Sequence, residues 1–126
     1  MSINVINTKK APAAIGPYSQ AIGAGGFLFL SGQIPIDPAT GDIVPGRIEE
    51  QTKQVFKNIL GILDEAGLSV SDVVKTTIFL WDIKDFNTVN LLYEGFFASP
   101  FPARSCVAVS ALPKGSLIEI EIIAKT

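Results

Sequence analysis

Two pairs of residues near the end of the chain, Arg104 with Cys106 and Glu119 with Glu121, sit two apart in short apolar runs. Side chains alternate between the two faces of a β-strand. Arg104 and Cys106 therefore share one side of a strand from Ala103 to Val109, and Ser105, Val107 and Val109 take the other. In the stretch from Leu117 to Ala124, Ile118, Ile120 and Ile122 form an apolar side, and Glu119 and Glu121 point away from it. With these strands as neighbours, the polar side of one sheet carries an arginine, a thiol and two carboxylates. A guanidinium presents a planar, permanently charged fork that matches a carboxylate with two parallel hydrogen bonds. A nearby carboxylate can orient and deprotonate a water. Such a pair would suit an anionic substrate whose electrophilic carbon lies between the two groups. Spacing alone reads more simply as a structural ion pair between strands.

The other candidates carry two readings each. Cys106 is a nucleophile or a wall of the site, but a reactive thiol needs an activating base, and the chain holds no histidine. As a chemical actor it reads better as a small apolar filler. Tyr18, after the turn Ile15-Gly16-Pro17, is a ring over a pocket or an ordinary half-buried loop aromatic. Ser31-Gly32 ends an apolar strand, where it either offers backbone N–H groups to an anion or makes a plain turn. Asn90 is a solvated helix residue or a site residue, and Trp81 belongs to the core or to an interface. With one cysteine and no histidine the sequence has no zinc ligand set, and it shows no Walker or dinucleotide glycine pattern. We expect no metal and no cofactor.

The elements that must position these residues follow from pattern. The 126 residues make one domain, 1–126, with 48% hydrophobic and 17% charged residues, a globular composition. Val5-Ile6 opens the chain, and a Pro/Gly-punctuated loop follows. Ser19 to Ile22 and Phe27 to Ser31 read as strands joined by the turn Gly23-Ala24-Gly25-Gly26. Pro35 to Gly46 is a surface loop. From Arg47, the residues Ile48, Val55, Phe56, Ile59, Ile62, Leu63 and Ala66 recur at helical spacing, and Gly67 marks the helix end. Val73 to Trp81 is a strand. Asp82 or Asp85 caps a second helix to about Phe97, burying Phe86, Val89, Tyr93 and Phe96, and Pro100 and Pro102 stop it. This order predicts an α+β sandwich with both helices on one face of the sheet and parallel crossovers. Phe79 and Trp81, beside Val73 and Thr77, would stay wet on the other face of a lone monomer.

Net charge is -2, from ten basic and twelve acidic residues without any basic cluster, which disfavours nucleic acid as a partner. Apolar runs are too short to span a bilayer, and Met1-Ser2-Ile3-Asn4 lacks the layout of a signal peptide, so the expected address is the cytoplasm.

Three segments then converge. Ala13-Ala14-Ile15-Gly16-Pro17-Tyr18-Ser19-Gln20 is the first, and Ser31-Gly32-Gln33-Ile34-Pro35 the second. The third is Phe101-Pro102-Ala103-Arg104-Ser105-Cys106-Val107 with Leu112-Pro113-Lys114-Gly115 and Ile118-Glu119-Ile120-Glu121. Together, and over essentially the whole chain, they resemble the RidA (YjgF/YER057c/UK114) family. The resemblance implies a chorismate-mutase-like (YjgF-like) α+β fold, a mixed sheet with two helices on one face, and a homotrimer with sites between subunits. It implies hydrolytic deamination of 2-iminobutanoate and 2-iminopropanoate to 2-keto acids and ammonia, without cofactor. Arg104 matches the residue that holds the substrate carboxylate, and Glu119 the one that positions water. Tyr18, Ser31, Gly32, Asn90 and Cys106 match residues that line the cleft. Phe97-Ala98-Ser99-Pro100 is shorter than the corresponding stretch of some bacterial relatives, which bears on cleft shape. Two other activities stand beside this one: an endoribonuclease or translation inhibitor, and a non-catalytic regulatory trimer that binds a small carboxylate.

Overall fold

The structure is a computed structural model that describes residues 2–126; Met1, the first residue of the expected domain, lies outside the described residues. In chain order the elements are β1 (Asn4–Ile6), β2 (Ala21–Ala24), β3 (Phe27–Gln33), α1 (Ile48–Glu65), β4 (Val73–Leu80), α2 (Phe86–Phe96), β5 (Ala103–Ala108) and β6 (Ile118–Lys125). The strands form one six-stranded sheet in the order β1-β2-β3-β6-β4-β5. β4 and β5 are parallel and all other neighbours antiparallel, so the sheet is mixed. Because β3 and β4 are both antiparallel to β6, α1 is a parallel crossover with the last strand slotted into its gap. α2 crosses directly between the neighbours β4 and β5.

Each element forms for a local reason. Gly25 and Gly26, at φ 59° and 83°, supply the two left-handed residues that a tight hairpin between β2 and β3 requires. The Glu50 side chain accepts the Arg47 N–H at 2.7 Å and so satisfies one free donor at the start of α1. At its end the Leu68 N–H reaches the Leu63 carbonyl at 2.8 Å and the Gly67 N–H reaches Asp64 at 3.0 Å. This is the Schellman arrangement, and Gly67 at φ 74° makes it possible. Ahead of α2, Asp82 takes the capping role by accepting the Lys84 N–H at 2.9 Å, whereas Asp85 makes no side-chain cap.

The core is the layer between the sheet and both helices. Val55, Ile59, Ile62 and Leu63 of α1 are buried against Ile118, Ile120 and Ile122 of β6 and Ile78 and Leu80 of β4. An aromatic cluster locks the helices together, with Phe56 stacked on Phe96 at 4.2 Å and Tyr93 on Phe97 at 4.4 Å between ring centres. Phe86 and Phe96 lie at the margin of this core, half-buried. The opposite face of the sheet has no covering layer, and Phe27, Phe29 and Val107 are exposed on it, with Trp81 just beyond β4.

Two details differ from the sequence reading, both through strand pairing. A bulge between Val73 and Lys75 turns Val73 toward the helices, where it is buried opposite Ala124, and leaves Thr77 and Phe79 on the open face. More consequentially, β5 and β6 are not neighbours. β4 runs between them, and its registers set the faces. Arg104 and Cys106 pair with the buried Thr76 and Ile78, so they lie on the helix side. Glu119 and Glu121 pair with Phe79 and Thr77, so they lie on the open side. The two pairs do not share one polar face.

One glycine closes the fold from outside the sheet. A Cβ on Gly61 of α1 would meet the Lys10 carbonyl oxygen at 2.5 Å, so the N-terminal loop rests directly on the helix backbone. Gly95 of α2 faces nothing within 4 Å. Chemical denaturation should therefore give opposite signs. Gly61→Ala is expected to cost about 1–3 kcal/mol through steric overpacking, while Gly95→Ala should add about 0.5 kcal/mol through helix propensity. A stabilising Gly61→Ala would mean that the loop does not rest there.

Candidate functional site

The segment after β3 builds the first half of the site. Leu30 pairs with Ile122 but Gln33 pairs with Ile120, so Ser31 and Gly32 bulge out of the ladder. The bulge leaves Gly32 directly beneath Glu119, where a Cβ would approach its carboxylate oxygen to 2.0 Å. A side chain at this position would push the Glu119 carboxylate aside. Ser31 is held by two bonds, its N–H to Gln20 O at 2.9 Å and its hydroxyl to Ser19 O at 2.6 Å. Around this point lies a cavity of about 560 Å³ bordered by Tyr18, Ser31, Gly32, Ile15, Ile34 and Glu119, with Lys114 at its rim. Burial lifts the Glu119 carboxyl above the usual glutamate range, and the neighbouring charge of Glu121 adds to the lift.

Buried amides hold the walls of this cavity. The Gln20 side chain accepts the Thr8 N–H at 2.7 Å and donates to the Pro12 carbonyl at 2.8 Å, fixing the loop that leads to Tyr18. Asn58 of α1 donates to the Ile36 carbonyl at 2.9 Å and receives Gln54 at 2.8 Å. Gln51 accepts the Leu117 N–H at 2.8 Å, just before Glu119. Lys114, with φ 57°, takes a left-handed conformation that a non-glycine residue adopts at some cost.

The second half lies on the other side of the sheet. Arg104 leaves edge strand β5 toward α2 and donates from Nη1 to Asn90 Oδ1 at 2.8 Å. Its guanidinium carbon lies 4.8 Å from the Tyr93 ring centre and 5.5 Å from that of Phe86, within cation–π range. Phe86, Asn90 and Tyr93 stand at i, i+4 and i+7 and so form one stripe of α2. Arg104 remains exposed, and its uncommitted fork faces a cavity of about 520 Å³ that Phe101, Pro102 and Glu94 complete.

Six of the seven candidate residues thus fall into two groups. Tyr18, Ser31, Gly32 and Glu119 meet at the first cavity, and Arg104 and Asn90 meet at the second. Cys106 borders neither. It packs half-buried against the edge of the core, where burial pushes its thiol up against the opposing pull of Arg104. The sequence reading did not single out Lys114, Gln20, Gln51 or Asn58, and it took Phe86 and Tyr93 as core alone. The i, i+4, i+7 spacing around Asn90 was the available signal for that pair. Among the described residues, no group of three or more His, Cys, Asp or Glu side chains could hold a metal ion, and no helix is long and apolar enough to cross a membrane.

Comparison with known proteins is consistent along the whole chain. The family described as Endoribonuclease L-PSP matches residues 8–126. A RutC family protein of Pyrococcus abyssi is 57% identical over 98% of both chains. The human 2-iminobutanoate/2-iminopropanoate deaminase is 54% identical over 95% of this chain and 88% of its own length. Among solved structures, a protein of the conserved Rid family from Yersinia pestis superposes with a TM-score of 0.97 at 56% identity, covering 99% of this chain and all of that one. The chain belongs to the Endoribonuclease L-PSP family, the same RidA/Rid family that its motifs resemble.

Proposed function

We propose that this protein is a cytoplasmic enzyme that hydrolyses 2-iminobutanoate and 2-iminopropanoate to the 2-keto acids and ammonia, in sites each assembled from two copies of the chain within a homotrimer. The observation that carries this reading is the separation of the Arg104 fork and the Glu119 carboxylate onto opposite faces of one sheet. A single chain leaves both halves incomplete. The exposed Phe27, Phe29, Val107 and Trp81 offer an apolar face for another copy to cover. The 54% identity to a deaminase of these two imines supports the choice of substrate.

In this mechanism the Arg104 fork pairs with the substrate carboxylate and sets the C=N carbon at a fixed distance from the wall formed by Gly32 and Glu119. Ionised Glu119 orients a water and takes its proton as the oxygen adds to that carbon, giving a carbinolamine. Glu119 returns that proton to the nitrogen, then relays the carbinolamine hydroxyl proton to the amine; the C–N bond breaks, and ammonia leaves as the ketone forms. Tyr18, Ile15 and Ile34 exclude bulk water from the substrate's alkyl end. Such imines hydrolyse slowly in water unaided, so approximation of water and substrate supplies a large part of the modest acceleration required.

Three measurements test the proposal. Imine decay, followed by semicarbazide capture after an amino-acid oxidase releases it, should accelerate with the wild-type chain. Arg104→Ala should lose about a hundredfold in kcat/KM, the worth of two charge-assisted hydrogen bonds. No acceleration by the folded wild-type protein would remove the enzymatic reading.

Shared sites predict complementation. Arg104→Ala and Glu119→Gln should each keep only about a hundredth of wild-type activity alone, yet unfolding and refolding them together should restore about a quarter of it, the statistical share of interfaces with both halves intact. Mixtures that stay inactive would mean each site is complete within one chain.

Glu119 must be ionised, and its pKa is raised, so activity should fall with acidification at a higher pH than an ordinary glutamate would dictate. Removing the Glu121 charge lowers the Glu119 pKa. The acid limb of Glu121→Gln should therefore move to lower pH, and an unmoved limb would exclude Glu119 as the titrating base.

A further inference from the structure

Arg104 is an exposed side chain on an edge strand, a setting in which a long, flexible arginine ordinarily samples many rotamers. Here one of its three contacts, Tyr93, is buried and fixed. Tyr93 is 4% exposed, and its hydroxyl is tied to Thr76 at 2.8 Å, itself fully buried on the neighbouring strand β4. Its ring packs on buried Phe97, which packs in turn on Phe56 of α1. The ring that lies 4.8 Å from the guanidinium is therefore anchored to β4 at one end and to both helices along its side. Thr76 is also the register partner of Arg104, so the same β4 residue holds the arginine backbone through the strand ladder and the Tyr93 hydroxyl directly.

We propose that Tyr93, clamped by Thr76, is a positioning residue: its ring fixes the plane of the Arg104 guanidinium, with Asn90 fixing the rotation, so that the free edge of the fork meets the substrate carboxylate. The inference rests on the role of Arg104 given above and extends it into the core. The bond to Asn90 consumes one donor of Nη1, and the aromatic face supports the guanidinium from below. Neither contact occupies the remaining edge of the fork. Both select, among the rotamers of Arg104, the one whose fork is open, and the effect belongs to carboxylate binding.

The test is a pair of double-mutant cycles on imine hydrolysis, run with enzyme in excess so that weak variants remain measurable. Tyr93→Leu keeps apolar bulk and removes the ring. It should raise KM about threefold to tenfold and leave kcat within about twofold. In an Arg104→Ala background the same change should alter kcat/KM by less than about twofold, because the group it acts through is gone. Thr76→Val keeps shape and removes the clamp, and should raise KM about twofold to threefold, again only while Arg104 is present. Thr76→Val decides alone if Tyr93→Leu does not fold. Equal losses in both backgrounds, or a fall in kcat at unchanged KM, would show that Tyr93 and Thr76 only hold up the fold. Arg104→Ala with an unchanged KM would instead sink the carboxylate clamp itself, and this inference with it.

Discussion

The last strand of the chain sits at the middle of the sheet, and the rest of the structure depends on that insertion. β6 pairs with β3 on one side and β4 on the other. Its inner residues, Ile118, Ile120, Ile122 and Ala124, form the floor on which α1 packs. The same alternation forces Glu119 and Glu121 onto the uncovered face. One strand thus supplies the centre of the core and the carboxylate of the first cavity, and neither placement can shift by a residue without losing the other. The bulge at Ser31-Gly32 is the local adjustment that lets β3 pass a glutamate without a clash.

The parallel pairing of β5 with β4 sets the second constraint. Because Arg104 aligns with buried Thr76, the arginine leaves the sheet toward α2 and meets the stripe of Phe86, Asn90 and Tyr93. A guanidinium beside two rings and an amide oxygen is held in place while part of its fork stays free. Glu119, across the sheet, is lifted by burial and by Glu121 rather than lowered by a partner cation. Among the described residues no ion pair joins Arg104 to Glu119, the electrostatic counterpart of the geometric separation. An intrachain ion pair, the plainer reading of the sequence, would have pulled the carboxyl down.

What could be read in the sequence, and what could not, follows the range of the interactions involved. Periodicity placed the stripe of α1 and its end at Gly67, because a helix face and a Schellman glycine are local properties. The alternation of Arg104 with Cys106 and of Glu119 with Glu121 was also legible within each strand. Which strand lies between them was not, since pairing across a long separation leaves no mark in either segment. The error about a common polar face came from that step alone. Val73 failed for the related reason that a bulge reverses parity without any distinctive residue type. The family resemblance pointed to Tyr18, Ser31, Gly32, Asn90, Arg104, Cys106 and Glu119, yet a resemblance does not say which of them a single chain brings together.

The amide side chains buried beneath the loops show how the fold keeps an open site rigid. Gln20, Gln51 and Asn58 are 3%, 6% and 0% exposed, in positions where apolar residues would fill the same space without needing partners. Each instead bonds to backbone of a loop that borders the first cavity or leads into β6: the Thr8–Pro12 loop, the Ile36 turn and Leu117. A loop cannot pair its own N–H and C=O groups as a strand does, and so it is ordinarily solvated and mobile. Satisfying those groups from the helix and the strand beneath converts the walls around Tyr18, Gly32 and Glu119 into extensions of the core. Polar burial here favours order in the loops over packing in the interior. That is the arrangement expected where catalysis depends on holding a water and a small anion in place rather than on a strong chemical group.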